Sequence, residues 1–296
     1  MTTMTETPSR PAPRKRRKAV RRLVVTFVVL LGLLVVADFA AAAMFEYQVS
    51  KRAREQFQLA DDPSVKVGGF SFLAQAVSGE YGHVMIDAKG VPVEDTLRDL
   101  EVHIELRDVQ APLGELVSGS LQEVKVREVE GQVKVKASDV NRAVAQNENA
   151  AVRSITNLTI DPVSEQDVAT NPDDRTAAEQ EAAERAAEQE IEDTTAGARI
   201  CATVDIGGEE TELCAFGIIS LVDAKMTFTP GRLELRNSVL GSGELPPVLD
   251  AAAKQALTFT LDPGELPFTV TPTAVTVDSG VLSVKGTASD VVLGGQ

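Results

Sequence analysis

The side chains most able to do chemistry in this chain are two cysteines, two histidines and 44 carboxylates. The sequence contains no G-x-S-x-G nucleophile elbow, no phosphate-binding P-loop, no H-E-x-x-H zinc motif and no dinucleotide fingerprint. His103 alternates with apolar residues and is expected on the wet face of a strand, and His83 is expected beside a glycine-containing turn. We therefore predict no catalytic residue, no cofactor and no enzyme activity.

Cys201 and Cys214 are predicted to form a disulfide across a β-hairpin. Two strand-like segments meet at residues 207–208, a Gly-Gly pair that suits a two-residue turn. Counting outward from this turn places the cysteines opposite each other as a non-hydrogen-bonded pair, whose side chains approach closely. The other face of the hairpin carries Ala202, Val204, Ile206 and Leu213. We expect that face to pack inward and the sulfurs to stay near water, and we expect no metal site because further ligands are missing.

A targeting segment lies near the N-terminus. Eight basic residues precede an apolar run from Leu23 to Phe45, which would span about 34 Å as a helix and could cross a bilayer. The positive-inside rule then places residues 1–22 in the cytoplasm and everything after Phe45 outside. Asp38 stands near the outer end, within reach of interfacial water. We favour an uncleaved anchor, and the alternative is a signal peptide cleaved after the A-x-A pattern of Ala41 and Ala43.

The charge of the chain restricts its partners. The net charge is −15, and because eight of the 29 basic residues precede the apolar run, the part beyond it is more acidic still. Such a surface repels phosphate backbones, so nucleic acid is not expected as a partner. The expected partner is the cytoplasmic membrane, through the N-terminal helix.

The remaining periodicities predict an α+β fold with a curved antiparallel sheet around few helices. An amphipathic helix over Glu46–Leu59 continues the anchor, Ser138 is expected to cap a short helix, and residues 246–247 open another that runs to Leu257. The alternation of two is clearest at Leu100, Val102, Ile104 and Leu106, among Glu101, His103, Glu105 and Arg107. Turns are predicted at residues 230–231 and 278–280.

Residues 161–199 have a different composition from the rest of the chain. They contain twelve acidic residues, three arginines, many alanines and hardly any large apolar side chain. Such a segment cannot bury a core. We interpret it as an exposed insertion with a solvated helix near Thr176–Glu192, inside one extracytoplasmic domain that covers residues 46–296.

Three short motifs resemble the LmeA-like family of actinobacterial cell-envelope proteins. They are Val-Gly-Gly-Phe-Ser-Phe-Leu-Ala-Gln at residues 67–75, Leu-Pro-Phe-Thr-Val at residues 266–270, and Gly-Thr-Ala at residues 286–288. The acidic segment departs from the family pattern. The resemblance implies a roll of the tubular lipid-binding kind, which holds phospholipid in an apolar groove and supports the integrity of a lipid-rich envelope.

An acyl-chain groove needs apolar side chains, because each buried methylene contributes about 0.8 kcal/mol. The candidate lining residues are Phe57, Phe70, Phe72, Leu73, Val102, Ile104, Leu106, Met226, Phe228, Phe268 and Val270. The sequence thus predicts a protein that binds or transfers phospholipid or another membrane lipid. The alternative is a structural or interaction protein of the envelope, with a filled core, no lipid cargo and a protein partner.

Overall fold

A computed structural model describes residues 14–93, 97–112, 114, 124–146, 153–169, 194–206, 209–222, 225–237, 241–244, 247–261 and 270–293. These residues form an α+β fold with two antiparallel sheets, as the sequence predicts. The helices are α1 (Arg14–Phe57), α2 (Phe72–Ser78), α3 (Ala137–Gln146), α4 (Glu165–Ala169) and α5 (Pro247–Leu257). Ser138 lies inside the first turn of α3 and does not cap it, because the helix already begins at Ala137.

Helix α1 combines the predicted apolar segment and the predicted amphipathic helix in one continuous 44-residue element. Its most apolar window has a mean hydropathy of 2.7, and none of that window is buried. By length and composition it can cross a membrane, although a signal sequence meets the same criteria. From Asp38 onward one face of the helix contacts the folded domain, and Phe45 and Ser50 are buried there.

The first sheet, sheet A, contains β1 (Ser64–Gly68), β2 (Glu80–Val93), β3 (Leu97–Gln110), β4 (Val124–Lys136), β12 (Val281–Leu293) and β11 (Thr271–Asp278), in this spatial order. All its pairings are antiparallel. The turn predicted at residues 278–280 connects β11 to β12, with Gly280 at a φ of 77°. His83 lies inside β2 and pairs with Arg107 of β3, so its expected position beside a turn was wrong. Gly82 beside it continues the strand and makes no turn.

The second sheet, sheet B, contains β10 (Phe259–Leu261), β8 (Lys225–Asn237), β7 (Glu209–Val222), β6 (Thr195–Ile206) and β5 (Thr156–Pro162), in this spatial order, and β9 (Gly241–Glu244) also pairs with β8. The turn predicted at residues 230–231 was wrong, because β8 runs through it. Pro230 opposes Gly217 and Arg232 opposes Phe216, so Gly231 is the extra residue of a β-bulge. A Cβ at Gly231 would lie 2.6 Å from a methyl group of Val168, so helix α4 packs where a side chain would stand.

The cysteine hairpin has the predicted register, with Cys201 opposite Cys214 and a disulfide joining them. Its orientation was predicted wrongly. Both cysteines are buried beside Phe216, with Val163 packed against them. The guanidinium of Arg232 lies 3.7 Å from the centre of the Phe216 ring and closes this cluster further. The chain just after β5 covers the sulfurs, which the hairpin alone could not indicate.

The acidic segment is described only at its two ends. Asp161 belongs to β5 and Arg199 to β6, and their side chains form an ion pair at 3.0 Å. Helix α4 follows β5, with Val168 buried in the domain. The predicted helix at Thr176–Glu192 lies outside the described residues.

Candidate lipid-binding site

Sheet A has one polar and one apolar face, as expected for alternating strands. The polar face carries an ion-pair network. His103 contacts Asp87 and Glu105, Glu105 also contacts His83, and the ammonium of Lys136 lies 2.7 Å from Glu101. The charged side chains of this face pair with one another, and the face is open to water. A lipid site must therefore be sought on the other face or at the ends of the sheet.

The pH dependence of stability follows from His103. Its hydrogen bond to Asp87, supported by Glu105, raises the pKa of His103 above its ordinary value. A raised pKa in the folded state gives stability that is fully present below the unfolded pKa of about 6.5 and is lost as the pH rises through the folded value. We expect the thermal midpoint of the full chain to fall from pH 6.5 upward. The decrease should be smaller in His103→Gln, and equal slopes in the two proteins would contradict this.

Helix α1 covers one end of the apolar face. Phe45 packs 5.2 Å from Phe72 and 6.0 Å from Tyr81, measured between ring centres. Buried side chains from neighbouring strands of sheet A complete this cluster. A row of partly buried residues, one on each of four adjacent strands, packs against it. These residues are Val67, Val84, Leu106 and Val129. The helix therefore acts as a lid on this end.

In four strands the regular alternation of apolar and polar residues is interrupted at this end. Each places two residues that are three apart in the same buried cluster. These pairs are Tyr81 and Val84, Leu106 and Val109, Val126 and Val129, and Ala288 and Val291. In β3 and β12 the shift falls at Asp108 and Asp290, which adopt positive φ angles of 52° and 53°. The sheet thereby keeps an apolar surface against α1 on both sides of the irregular row.

Sheet B covers the opposite end of the apolar face. Val275, Val277 and Leu282 of sheet A share one core with Ala198, Ile219 and Phe228 of sheet B. The backbone N–H of Gly280 donates to the carbonyl of Ile160 at 2.6 Å and joins the sheets at the edge of this core. The apolar face is therefore closed at both ends.

Two rows between these covers remain partly open, and we name them the central trough. One row is Ile86, Ile104 and Gly131, and the next is Val102 and Val133. Their side chains are only half-buried, and Val133 is 37% exposed. Among the described residues, no atom lies within 4 Å of a Cβ built on Gly131. The trough is an apolar surface with space above its middle.

The structure separates the predicted lining residues into distinct places. Val102, Ile104 and Leu106 stand on the apolar face of sheet A, and Val270 reaches the neighbouring Gly286, where a Cβ would meet its methyl group at 2.8 Å. The remaining residues lie elsewhere. Phe70, Phe72 and Leu73 are at α2, Met226 and Phe228 pack in or against the core of sheet B, Phe57 is exposed at the end of α1, and Phe268 lies outside the described residues.

Sequence reasoning did not select Gly131 or Val133 of the trough. A glycine within an alternating strand is a signal for close approach of another molecule or for missing packing, and Gly131 carried that signal. Val133 was assigned to a strand but not to the groove, because its row partners on β3 were not predictable.

A second depression, the end cleft, lies at the irregular row of sheet A and has a volume of about 840 Å³. Its lining includes Phe70, Tyr81, Lys125, Arg127 and Val292. Arg127 pairs with Asp108, which also lines it. The volume is in the range of small-molecule sites, but the mixture of charged and apolar walls suits a polar group better than an acyl chain.

Tyr81 is the most unusual residue of the end cleft. Its side chain is 1% exposed, and its hydroxyl has no hydrogen-bond partner among the described residues. Burial raises the pKa of the Tyr81 phenol, so it stays protonated and can donate a hydrogen bond. A buried donor without a partner costs free energy, which a bound acceptor would recover. Its sequence context gave no sign of this.

The cysteine hairpin offers no metal site. Glu212 lies close enough to Cys201 and Cys214 to complete a three-ligand group in the described part of the chain. Both sulfurs are joined in the disulfide, however, so no thiolate is present to bind an ion.

Comparison with known proteins agrees with this apolar architecture. A sequence model of a family described as LmeA-like phospholipid-binding matches residues 36–287, which is most of the chain. The match begins inside α1, just before Asp38, and ends in β12. No curated protein and no solved structure matches the chain. The matched family is a lipid-binding family and not an enzyme family. This chain belongs to the LmeA-like phospholipid-binding family.

Proposed function

We propose that this protein binds or transfers phospholipid at the outer face of the cytoplasmic membrane and supports the integrity of the cell envelope. Residues 1–22 lie in the cytoplasm, residues 23–45 cross the membrane, and residues 46–296 form the extracytoplasmic domain. The basic residues before an apolar helix support this orientation. The disulfide supports an oxidising location for the domain.

The observation that carries the proposal is the central trough. An apolar sheet face normally packs against helices or another sheet, yet among the described residues Ile104 and Val133 belong to neither of the two buried cores, and Val133 is 37% exposed. Covering six methylenes of an acyl chain there would contribute about 5 kcal/mol. This contribution depends on apolar area and not on chain identity, so the trough suits a range of acyl chains.

Gly131→Leu tests the trough directly. The backbone at Gly131 suits any residue, and no described atom lies within 4 Å of the Cβ position from which the leucine side chain would extend. The full chain is reconstituted in vesicles with a phospholipid that carries a photoreactive diazirine within one acyl chain. After illumination, adducts are mapped by mass spectrometry. We expect adducts on β3 and β4 in the natural protein and about a tenfold loss in Gly131→Leu, because the leucine occupies the methylene positions.

Gly32→Leu is the matched control. Gly32 also has no atom within 4 Å of an added Cβ, but it lies in the apolar part of α1, outside the trough and the end cleft. Its adducts on β3 and β4 should match those of the natural protein. Loss of these adducts in Gly82→Leu, which lines the end cleft, but not in Gly131→Leu would place the acyl chain in the end cleft. Absence of adducts from all of sheet A in the natural protein would favour an envelope interaction protein without lipid cargo.

A further inference from the structure

The free part of α1 is too short to span a membrane by itself. Twelve residues, Leu23–Leu34, follow the last arginine and are exposed, and Val35 is the first apolar residue of this segment that is partly buried. Twelve helical residues extend about 18 Å, whereas the hydrocarbon core is about 30 Å thick. A spanning segment of about 20 residues must therefore continue to Ala42. The outer part of this segment lies beside the folded domain.

Helix α2 is attached to that outer part. The carboxylate of Asp38 accepts hydrogen bonds from the backbone N–H groups of Phe72 and Leu73 at 3.0 and 2.8 Å, and from the Ser71 hydroxyl at 3.2 Å. Asp38 lies 15 residues after Leu23, or about 22 Å along the helix axis. These bonds hold the first turn of α2 at a depth that a spanning α1 places in the outer leaflet.

The outward surface of α2 and of the chain just before it is apolar. Phe70 is 90% exposed and Val77 is 89% exposed, with Leu73 exposed between them. Phe72 and Ala76, on the opposite side of the same helix, are buried in the core with Phe45. The exposed trio, which we name the α2 patch, therefore serves no packing in the described structure. A surface of this kind is stable at the boundary of headgroups and acyl chains.

We propose that the α2 patch lies in the outer leaflet of the membrane and holds the mouth of the end cleft at the lipid surface. This inference rests on the membrane anchoring proposed above. Phe70 belongs both to the patch and to the wall of the end cleft. Lipid headgroups then lie beside Tyr81, Lys125 and Arg127, and a lipid reaches the cleft from the leaflet without crossing water. Sheet B, at the other end of sheet A, points away from the membrane.

The test places a fluorescent label on the patch. The native cysteines are joined to each other, so a thiol-reactive nitrobenzoxadiazole dye labels only a new cysteine. Val77→Cys reports the patch, and Val222→Cys, an exposed valine of sheet B, is the matched control. Leu30→Cys reports the inside of the spanning segment. The full chain is reconstituted at low density in phosphatidylcholine vesicles, without a quencher or with phosphatidylcholine that carries a doxyl quencher. The quencher is near the headgroup for the Val77→Cys and Val222→Cys labels, and near the middle of an acyl chain for the Leu30→Cys label.

We expect blue-shifted emission and about twofold quenching for the Val77→Cys label, and water-like, unquenched emission for the Val222→Cys label. Quenching at Leu30→Cys without quenching at Val77→Cys would overturn this inference and leave the anchor intact. Absence of quenching at both sites would overturn the anchor as well. A blue shift at Val77→Cys that disappears on dilution of the protein would identify a second copy of the chain as the occupant, which also overturns the inference.

Discussion

Phe45→Ala should destabilise the folded domain by about 3 to 5 kcal/mol, the usual cost of removing a buried aromatic side chain. Phe45 is the residue of α1 that contacts both Phe72 and Tyr81. Its loss leaves a cavity between the helix, α2 and the end of sheet A. In a domain of this size, the thermal midpoint measured by calorimetry of the full chain in detergent should fall by about 10 °C.

Phe39→Ala is the matched control for this change. Phe39 lies on the same helix, less than two turns earlier, but is 70% exposed and belongs to no buried cluster of the described residues. Its removal should leave the midpoint of the domain unchanged. Equal decreases in the two variants would show that Phe45 acts through the helix itself and not through contact with the domain.

This contact between α1 and the folded domain shows what local patterns can and cannot predict. The apolar length of α1 and its continuation into an amphipathic helix follow from hydropathy and periodicity. The partners of Asp38 do not, because α2 is more than 30 residues away in the chain. Interfacial water was the expected partner of Asp38, and backbone N–H groups of α2 take that place.

In the strands, too, local patterns predict some features and not others. Alternation of two is enough to place His103 on the polar face and Ile104 on the apolar face. It fails where an irregular residue shifts the pattern, as at Asp108, whose positive φ costs free energy that only the assembled sheet offsets. The hairpin register of Cys201 and Cys214 was predictable because a two-residue turn fixes it.

The sequence predicts that the candidate site is an apolar surface, but it does not predict which residues form it. Val102, Ile104 and Leu106 were selected by their alternation, and the family resemblance explained why an apolar face was needed. Which of the apolar residues remain uncovered depends on where α1 and sheet B end on sheet A. Phe228, for example, has the same local pattern as Ile104, but it packs against Phe259 at 5.5 Å and is fully buried.

Gly217→Ala should also destabilise the protein strongly, because the added methyl group meets the ring of Phe228. A Cβ at Gly217 would lie 2.5 Å from two ring carbons of Phe228 and 2.7 Å from the carbonyl oxygen of Thr229. The carbonyl belongs to a paired strand and cannot shift freely. We expect destabilisation of about 3 kcal/mol, the upper end of the range for overpacked cores, measured by the same calorimetry.

Gly131→Ala is the control for this substitution, since it adds the same methyl group to a strand where no described atom lies within 4 Å. Its midpoint should stay within about 2 °C of the natural value. If the ring of Phe228 is the main obstacle, Gly217→Ala combined with Phe228→Leu should be more stable than the sum of the two single effects predicts, because the leucine leaves the space that the methyl group needs. Strict additivity would instead assign the cost to the Thr229 carbonyl, and with it to the backbone pairing of β7 and β8.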